Sequence, residues 1–545
     1  MFPILSGDEV ERLRRFGAPI LYGAGEPVLH VGEAGHGVSL ILAGEVRVSQ
    51  ELEGGGRQPI VTHGPGSFLG ELAQLSGRPS LVDADALGDV ETVHIPPEQL
   101  RAVLIAEAEL GERIMRALIL RRMGLIETHA GGPVILGPAD HPGVIALEVF
   151  LSRSGHPHQV LDARTDTEAA ALLHRFEVPP GEWPLVLCPD GALLRNPGEA
   201  QLARCLGLVG PIDGAAVFDL AIVGAGPAGL AASVYAASEG LRTLALDCRA
   251  FGGQAGASAR IENYLGFPTG VTGAALMGRA YNQAQKFGVQ MAIPDEVARL
   301  DAEPSPEGLL TLRLASGEAV RTRSVVIATG ALYRRPQVKR LEAFDAASVH
   351  YWASPVEGKL VAGEEVALVG AGNSAGQAVV YLASKAKKVW LLARGPELGA
   401  SMSRYLVDRI SGLGNVEVLT ETEVVGLEGR GGKLESLRWR NRSGDEATLA
   451  VRHLFLFIGA DPNTDWLAGS GVTLDGKGFV LTGEAAAPGR GLQETSRAGV
   501  FAIGDVRAGS VKRVAAAVGE GAQVVAAIHA HLAGDGSHLA GPSTA

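Results

Sequence analysis

The sequence predicts a multidomain chain in which an N-terminal β-roll with helices precedes three α/β domains, the last two of them three-layered. Length is the first reason, because 545 residues are too many for one core at ~150 residues per domain. Short strands separated by Gly and Pro turns fill residues 16–95, which favours a roll or barrel. Glycine-rich turns then follow apolar strands at 220–229 and 365–375, as in dinucleotide-binding, Rossmann-like α/β domains.

Charge and hydropathy exclude some classes of function. The net charge of −12 argues against nucleic acid as the main partner, because phosphate binding requires clustered Lys and Arg. Gly or charged residues interrupt the apolar runs well before about 18 residues, so we expect no membrane span. The N-terminal segment lacks the pattern of a secretion signal. We therefore expect a cytoplasmic protein.

The three cysteines, Cys188, Cys205 and Cys248, stand far apart and form no C-x-x-C. We expect neither a local dithiol nor a metal site from this spacing, and a reducing compartment suits it. Cys188 lies in an apolar run and is predicted to be a core residue. Cys248 follows a strand end, and a small buried hydrophobe is its favoured interpretation.

The N-terminal stretch 1–129 resembles the cyclic-nucleotide-binding domain. The resemblance rests on GEVRV at 44–48, GPGSFLGELAQLSGRPS at 64–80 and helical signals over 98–128. It implies that Gly70 and Glu71 lie in a short phosphate-binding helix, with Glu71 accepting a hydrogen bond from a ribose hydroxyl. The family's phosphate-binding Arg follows the Pro, but here Ser80 stands there and Arg78 precedes the Pro. We therefore expect a dimerisation or regulatory module with weak or altered binding of a cyclic nucleotide or related ligand.

Residues 133–209 carry alternating strand and helix signals between two predicted linkers, 130–133 and 210–216. The pattern resembles a thioredoxin or glutaredoxin fold, with Pro184 at the place of that family's cis-proline. The family's redox motif would lie at 137–143, where no cysteine occurs. The resemblance thus implies a module that cannot exchange disulfides through two thiols, and that serves as a docking platform or spacer.

The first glycine motif begins after the apolar strand at 220–223. Its turn and the start of the following helix are expected to hold a pyrophosphate, because unpaired helix N–H groups favour an anion there. The residues of this turn are Gly224, Gly226, Pro227, Ala228 and Gly229. Asp247 ends the next strand, near the spacing expected of a carboxylate that binds a ribose hydroxyl.

The segments that follow resemble the FAD domain of thioredoxin reductase. They are GGQ at 252–254, IENYLGFP at 261–268, VVIATG at 325–330, GVFAIGDV at 499–506 and RVA at 513–515. The resemblance implies a flavin domain split over 217–334 and 464–532. It implies further FAD-binding residues, which are Gly253, Gln254, Asn263, Thr329, Gly330, Gly504, Asp505, Arg513, Val514 and Ala515.

A second dinucleotide fold lies between these pieces, over 335–463. Its phosphate turn contributes Gly370, Gly372, Asn373, Ser374 and Ala375. The next strand ends at Arg394 without an acidic residue, and Arg404 follows as a second candidate for the 2′-phosphate. Because an Arg fork suits phosphate, we expect NADPH, with NADH less favoured.

Thioredoxin reductases carry a C-x-x-C just before this second turn. Here the segment 349–358 is VHYWASPVEG, with Trp352 and Pro355 roughly where the cysteines would be. We therefore expect a thioredoxin reductase-like oxidoreductase that passes hydride from NADPH to FAD and then electrons to a non-dithiol acceptor, either a protein such as ferredoxin or flavodoxin or a small molecule. His350, Tyr351 and Trp352 are candidates for groups near the flavin.

Two alternatives stay open at this point. One is a thioredoxin-disulfide reductase that uses external thiols, and the other is a regulatory flavoprotein that senses nucleotide and redox state. The resemblance also implies a homodimer. The tail 533–545 is rich in Gly, Ser and Pro and is predicted to be disordered.

Overall fold

The computed structural model describes residues 2–51, 57–71, 74–75, 78–128, 132–175, 182–189, 191–209, 212–345 and 347–539. Both predicted linkers begin outside these residues. The chain divides into two units, each described by itself below. One comprises Met1–Ala139, Phe150–Pro211 and Asn282–Pro294, and the other comprises Asp140–Val149, Ile212–Tyr281 and Asp295–Ala545.

The N-terminal domain is β-rich, as predicted. Its elements are α1 (Gly7–Arg14), β1 (Ala18–Tyr22), β2 (Pro27–Leu29), β3 (Val38–Ala43), β4 (Val46–Glu51), β5 (Arg57–His63), β6 (Phe68–Leu69), β7 (Asp83–Ala86), β8 (Val90–Ile95), α2 (Pro97–Ala106) and α3 (Ala108–Glu127). The strands form two sheets, in the orders β1-β8-β3-β6 and β2-β7-β4-β5. The helical stretch predicted at 98–128 is divided at Glu107, whose backbone is not helical and whose carboxylate accepts from Arg12 and Arg15.

The predicted strands and helices of 133–209 are present. They are β9 (Val134–Gly137), α4 (Pro142–Arg153), β10 (Gln159–Asp162), α5 (Thr167–Arg175), β11 (Leu185–Leu187), β12 (Leu193–Arg195) and α6 (Glu199–Cys205). The sheet order is β10-β9-β11-β12, with β9 and β10 parallel and β11 antiparallel to both of its neighbours.

Cys188 and Cys205 form a disulfide in this sheet domain, with their Cα atoms 6.5 Å apart. The spacing of the cysteines did not indicate this pairing, while the redox-motif positions 137–143 contain no cysteine. The hairpin of β11 and β12 turns the chain back after Cys188, and α6 then brings Cys205 next to it. Two cysteines that are 17 residues apart in the chain are thereby brought within bonding distance. Cys188 is nonetheless a core residue, as predicted, at 3% exposure.

The larger unit begins with a parallel strand–helix–strand arrangement. The elements from 217 to 333 are β13 (Val217–Val223), α7 (Pro227–Ser238), β14 (Thr243–Leu246), α8 (Gly253–Gly256), α9 (Gly273–Lys286), β15 (Gln290–Ala292), β16 (Val297–Asp301), β17 (Leu310–Leu314), β18 (Ala319–Ile327) and β19 (Ala331–Tyr333). The strands β14-β13-β18-β17-β16 lie in this order in one sheet.

A second parallel sheet follows along the chain, with the strand order β20-β27-β21-β22-β23. The chain between β23 and β27 forms a separate three-stranded sheet, β24-β25-β26. The elements of this region are β20 (Val349–His350), α10 (Pro355–Leu360), β21 (Glu365–Val369), α11 (Asn373–Ala383), β22 (Lys388–Leu392), α12 (Arg404–Ser411), β23 (Val416–Leu419), β24 (Thr422–Arg430), β25 (Lys433–Asn441), β26 (Glu446–Leu449), β27 (His453–Leu456) and β28 (Ala460–Pro462). Strand β28 pairs with β19, where the chain crosses between the two sheets.

The chain then returns to the first sheet through β29 (Val500–Ala502), which pairs parallel to β18, and ends in α13 (Val514–Leu539). Helix α13 packs on the Ala-rich α7 so closely that a Cβ at Gly521 would lie 2.5 Å from the Ala228 carbonyl oxygen. The helix includes 533–539, so the prediction of a disordered tail was wrong for these residues, while 540–545 lie outside the described part. Among the described residues, no helix combines the length and apolarity that crossing a membrane requires.

Candidate functional site

The turn between β13 and α7 has no room for side chains. Gly224 has a φ of +110°, and a Cβ there would lie 2.2 Å from the Ala328 carbonyl oxygen. A Cβ at Gly229 would lie 1.8 Å from the oxygen of Gly224. Helix α7 begins at Pro227 without a side-chain cap, so its first N–H groups remain for an anion. Gly253 approaches from α8, because its Cβ would be 3.1 Å from the Gly226 Cα.

Asp247 holds the same turn through its carboxylate. Its Oδ2 accepts from the Ala225 N–H at 2.9 Å, and its Oδ1 accepts from the Arg249 N–H at 3.0 Å. These contacts give Asp247 a structural role that the sequence did not indicate. Its binding of a ribose hydroxyl stays a prediction.

Three of the other predicted flavin residues, Gln254, Thr329 and Gly330, lie beside the paired strands β19 and β28. Gln254 donates through Nε2 to the Ala331 carbonyl, and Thr329 donates to the Asn463 carbonyl at 2.8 Å. Gly330 adopts a left-handed φ of +63° between these contacts. Asn263 lies in the loop after Glu262, whose carboxylate pairs with Arg409 of α12 at 2.8 Å.

Gly504 and Asp505 are held by a residue that sequence analysis missed. The Glu520 carboxylate, on α13, accepts from the Gly504 N–H at 2.7 Å, from Arg507 at 2.7 Å and from Ser510 at 3.0 Å. A lone Glu inside the apolar run of α13 was the signal that could have found it. Burial raises the pKa of Asp505, with a smaller opposing effect of Lys512.

The start of α13 lies at RVA, the last of the segments that resemble the FAD domain of thioredoxin reductase. The helix begins at Val514, and the Arg513 carbonyl accepts from the Ala517 N–H at 3.0 Å. Ala515 follows within the first turn. The structure thus places 513–515 at a helix start, as expected of a site that stabilises negative charge.

The second glycine turn is built like the first. A Cβ at Gly370 would lie 2.6 Å from the Phe457 carbonyl oxygen, and α11 begins at Asn373 after an N-cap at Gly372. The Asn373 side chain accepts from the Ser403 N–H at 2.7 Å. Ser374 and Ala375 complete the first turn of α11.

Arg394 and Arg404 both lie at the surface beyond this turn. Arg394 is exposed two residues past the end of β22. Arg404 begins α12, and its Nε donates to Asp408 at 2.8 Å while its side chain is 88% exposed. Arg404 therefore already has a carboxylate partner, which weakens the prediction that it binds the 2′-phosphate of NADPH.

The segment in place of the cysteines forms a hydrogen-bonded cluster around Glu357, a second residue that sequence analysis missed. Trp352 donates through Nε1 to Glu357 at 3.0 Å, and the Ser354 N–H donates to the same carboxylate at 2.8 Å. The Ser354 hydroxyl caps α10, and Pro355 occupies its first turn. Glu357 is 2% exposed, and burial raises its pKa.

His350 and Tyr351 are tied to other side chains. His350 Nε2 lies 3.0 Å from His453 Nδ1, and burial lowers the pKa of His350 to about 3. Such a group is neutral near neutral pH and is a poor proton donor, so its predicted role is not supported. Tyr351 donates to Asp345 at 2.9 Å, and burial raises its pKa.

Two of the four candidate residues of the N-terminal pocket, Gly70 and Glu71, directly follow β6, and Ser80 lies beside Gly32 and Glu33. Gly70 has a φ of +122°, and Glu71 is 4% exposed with Arg122 at 3.5 Å. Ser80 is buried, and its hydroxyl donates to the Val82 carbonyl at 2.8 Å. Arg78 is partly buried and has partners of its own.

Cys248 is an exposed residue, so its predicted burial was wrong. Desolvation of its thiol group raises the pKa to about 11, which argues against a reactive thiolate. In the part of the chain that the structure describes, no three His, Cys, Asp or Glu side chains gather as a metal site would require.

A family model described as pyridine nucleotide-disulphide oxidoreductase matches residues 218–521, which include both glycine turns. The chain belongs to this family. A cyclic nucleotide-binding domain precedes the family's region, and its model matches residues 19–107. The chain thus joins a region of this family to a preceding match for a cyclic nucleotide-binding domain.

Relatives of known name cover the C-terminal part. The chain is 33% identical to the F component of alkyl hydroperoxide reductase from Escherichia coli K12, over 56% of each chain. It is 30% identical to thioredoxin reductase of Mycoplasmopsis pulmonis, over 56% of this chain and 94% of that one. The crystal structure of T. acidophilum thioredoxin reductase matches with a TM-score of 0.53 and 27% identity, over 58% of this chain and 99% of that one. The chain spans 56% and 62% of the length of the alkyl hydroperoxide reductase components of Escherichia coli K12 and Pseudomonas putida.

Thioredoxin reductase-like members of the family use FAD and NADPH, and the residues of this chain fit both groups. The two turns are cradles that a Cβ at Gly224 or Gly370 would fill. Asp505 lies at the end of β29 in a desolvated position, next to the start of α13. We take these features as the places that would hold FAD, around α7 and α13, and NADPH, at α11.

Proposed function

We propose that this protein is an NADPH-dependent flavoprotein reductase that delivers electrons to an acceptor without a cysteine pair in its nicotinamide domain. The observation that carries the proposal is the cluster of Trp352, Ser354 and Glu357, which fills the segment where thioredoxin reductases have their dithiol. Its hydrogen bonds to a carboxylate that is 2% exposed make it a stable part of the domain. The sequence has no cysteine after Cys248.

Bound FAD would supply two-electron acceptance from NADPH and onward electron transfer. The residues of this chain bind and orient the cofactors. We expect the helix starts at Pro227 and Asn373 to present N–H groups to phosphates, and Asp505 to accept from a ribityl hydroxyl. Trp352 is positioned by Glu357, and its ring lies 6.0 Å from the guanidinium of Arg249, whose N–H binds Asp247.

Parallel turnover assays test this proposal. Stopped-flow mixing with NADPH is expected to bleach the flavin, and ferredoxin, flavodoxin, quinone, oxygen and oxidised thioredoxin are then compared as acceptors. We expect turnover with at least one non-dithiol acceptor, and we expect the double variant Cys188→Ser/Cys205→Ser to retain it. Turnover of oxidised thioredoxin alone, lost in that double variant, would contradict the proposal.

The disulfide of Cys188 and Cys205 favours a second candidate function. Several relatives are named thioredoxin reductase or alkyl hydroperoxide reductase, and the dithiol of this chain would then lie in 133–209. We propose a thioredoxin-like fold for this domain on its mixed sheet. In this candidate function the chain would reduce thioredoxin or a peroxiredoxin, and the double variant described above separates it from the first.

Arg394→Ala tests the preference for NADPH. Because Arg394 is the exposed cation at the end of β22, its loss is expected to raise KM for NADPH about tenfold, as removal of a charge-assisted contact does. KM for NADH should stay unchanged. Arg404→Ala is the matched control, since its guanidinium pairs with Asp408, and steady-state kinetics with both nucleotides measures the difference. Equal efficiency of the wild-type protein with NADH and NADPH would contradict the preference.

We also propose that the protein is a cytoplasmic homodimer. We propose four domains, with the limits 1–129, 133–209, 217–334 together with 464–532, and 335–463. The N-terminal domain would regulate the reductase by binding a cyclic nucleotide or a related ligand. The mass of the protein in solution tests the dimer.

A further inference from the structure

The nucleotide pocket of the N-terminal domain keeps a buried carboxylate that no hydrogen bond from the described residues satisfies. Glu71 is 4% exposed, and neither of its oxygens has a hydrogen-bond partner in the part of the chain that the structure describes. The cation beside it, Arg122 Nη1, lies 3.5 Å away, beyond a good hydrogen bond. An unsatisfied buried acceptor is costly, so this carboxylate can accept hydrogen bonds from a ligand.

The side chain of Gln74, three residues after Glu71, supplies a hydrogen-bond donor. Gln74 is fully buried, its Oε1 accepts from the Gly37 N–H at 3.2 Å, and its Nε2 has no partner among the described residues. A hydroxyl group both donates and accepts, so it is the kind of ligand group that matches an unsatisfied acceptor at Glu71 and an unsatisfied donor at Gln74. Arg121 holds the strand before them rigid, because it donates to the Phe68 and Gly70 carbonyls at 2.8 Å each.

The other end of the pocket lacks a cation for a phosphate. Between residues 64 and 87 the sequence contains one Lys or Arg, Arg78, which has partners of its own and lies within electrostatic range of the buried His156. Arg122, a second cation near Glu71, lies 3.5 Å from its carboxylate and donates to the Gly155 carbonyl at 3.0 Å.

The hydroxyl, the N–H and the carbonyl of Ser80 all form hydrogen bonds within the protein. The hydroxyl donates to Val82, the N–H donates to the Glu33 carbonyl at 2.9 Å, and the carbonyl accepts from the Gly32 N–H at 2.9 Å. The preceding Pro79 is held by Gly207, where a Cβ would lie 2.6 Å from the proline ring. Ser80 therefore has little freedom to turn towards a ligand.

Carboxylates flank Ser80 on both neighbouring segments. Asp83, at 5% exposure, accepts from the Val31 N–H at 3.0 Å, and the Glu33 carboxylate accepts from the His30 N–H at 3.1 Å. Arg57 lies 3.9 Å from the Asp83 carboxylate and pairs with Asp85 at 2.5 Å, so it offsets part of this charge and is itself engaged by two carboxylates. An added anion would still meet more negative than positive side chains here.

We propose that this pocket binds a neutral nucleoside, through its ribose 2′-hydroxyl at Glu71 and Gln74, in preference to a cyclic nucleotide. The inference rests on the proposal that the N-terminal domain is a ligand-binding module. It does not depend on the reductase activity, which is assayed separately with NADPH.

Titration calorimetry on the full-length flavin-loaded protein tests the proposal with two matched pairs, adenosine with cAMP and guanosine with cGMP. In at least one pair the nucleoside is expected to bind about tenfold or more tightly than its cyclic phosphate. The corresponding 2′-deoxynucleoside should bind about tenfold more weakly than the nucleoside, because it leaves the Glu71 carboxylate without a hydrogen-bond donor. Tighter binding of a cyclic nucleotide, or binding of none of the four probes, overturns the proposal.

Three variants locate the site. Glu71→Gln is expected to weaken the nucleoside about tenfold, whereas Glu112→Gln, at an exposed pair with Arg116 on α3, should leave affinity unchanged. Ser80→Ala should also leave nucleoside affinity unchanged, and a loss there would show that Ser80 contacts the ligand. Ser80→Arg is expected to add affinity for the cyclic phosphate; if this variant does not fold, the comparison of Ser80→Ala with Glu71→Gln still decides the outcome.

Discussion

Replacing Gly229 by alanine is expected to yield protein that purifies without FAD. The new Cβ would lie 1.8 Å from the Gly224 carbonyl oxygen and 3.3 Å from Ile222 Cγ2, so α7 would have to move away from β13. That movement displaces the turn whose N–H groups we expect to hold the pyrophosphate. Overpacking of this kind also costs about 3 kcal/mol of unfolding free energy.

The ratio of flavin absorbance to protein absorbance measures this effect, and chemical denaturation measures the stability. Gly278→Ala, inside α9 with nothing within 4 Å of the added Cβ, is the matched control and should purify yellow. Full retention of FAD by the Gly229 variant would show that this turn does not carry the cofactor.

Glu520→Gln is expected to have the second largest effect, on both stability and flavin retention. The carboxylate joins Gly504, Arg507 and Ser510, and its side chain and that of Arg507 are 12% and 16% exposed. Loss of its charge leaves Arg507 buried without a counter-ion, which costs about 3 kcal/mol. The segment carrying Asp505 loosens as a result, so FAD should dissociate more readily.

The pH dependence of stability gives an independent measurement at the same residue. Burial raises the pKa of Glu520, but hydrogen bonds from Arg507 and Gly504 outweigh it and hold the pKa below its ordinary value of 4.5. The stabilisation is therefore present above that value and is lost as pH falls through the lower pKa of the folded state. Urea unfolding at decreasing pH should show this loss in the wild type and a smaller one in Glu520→Gln.

Glu423→Gln serves as control for Glu520, because its pair with Arg440 is about half exposed on both sides. Exposed pairs contribute about 1 kcal/mol or less, so this variant should unfold like the wild type. An equally small effect at Glu520 would contradict the role we assign to it.

The two dinucleotide turns were predictable because their determinants are local. A strand, three glycines and a helix start occur within a dozen residues around Gly224, and a Cβ at Gly229 would meet the oxygen of Gly224 itself. The β-rich N-terminal domain was predictable for the same reason. Boundaries were less so: the helical stretch predicted at 98–128 is divided at Glu107, whose carboxylate accepts from Arg12 and Arg15, 95 and 92 residues away.

The role of buried charges was not predictable from spacing. His350 was a candidate proton donor in sequence, yet its partner His453 comes from β27, which lies beside β20 in the second sheet. Glu520 was not a candidate in sequence, because a single Glu in an apolar helix can equally be exposed. Its importance follows from the Gly504 N–H and the Arg507 guanidinium, which the fold brings to it. Glu357 instead forms a capping box with Ser354, a local signal that the sequence already carried.

The sequence by itself determined the number of nucleotide-type folds, the position of both glycine turns and the absence of a C-x-x-C before the second one. Each of these depends on residues close together in the chain. The tertiary structure alone decided that Cys188 meets Cys205, that Glu520 secures Gly504, and that Glu71 faces Arg122 at a distance too long for a good hydrogen bond. The physical reason is that such pairings depend on how distant elements pack, since burial and distance, rather than residue type, set the energy of a charge or a thiol.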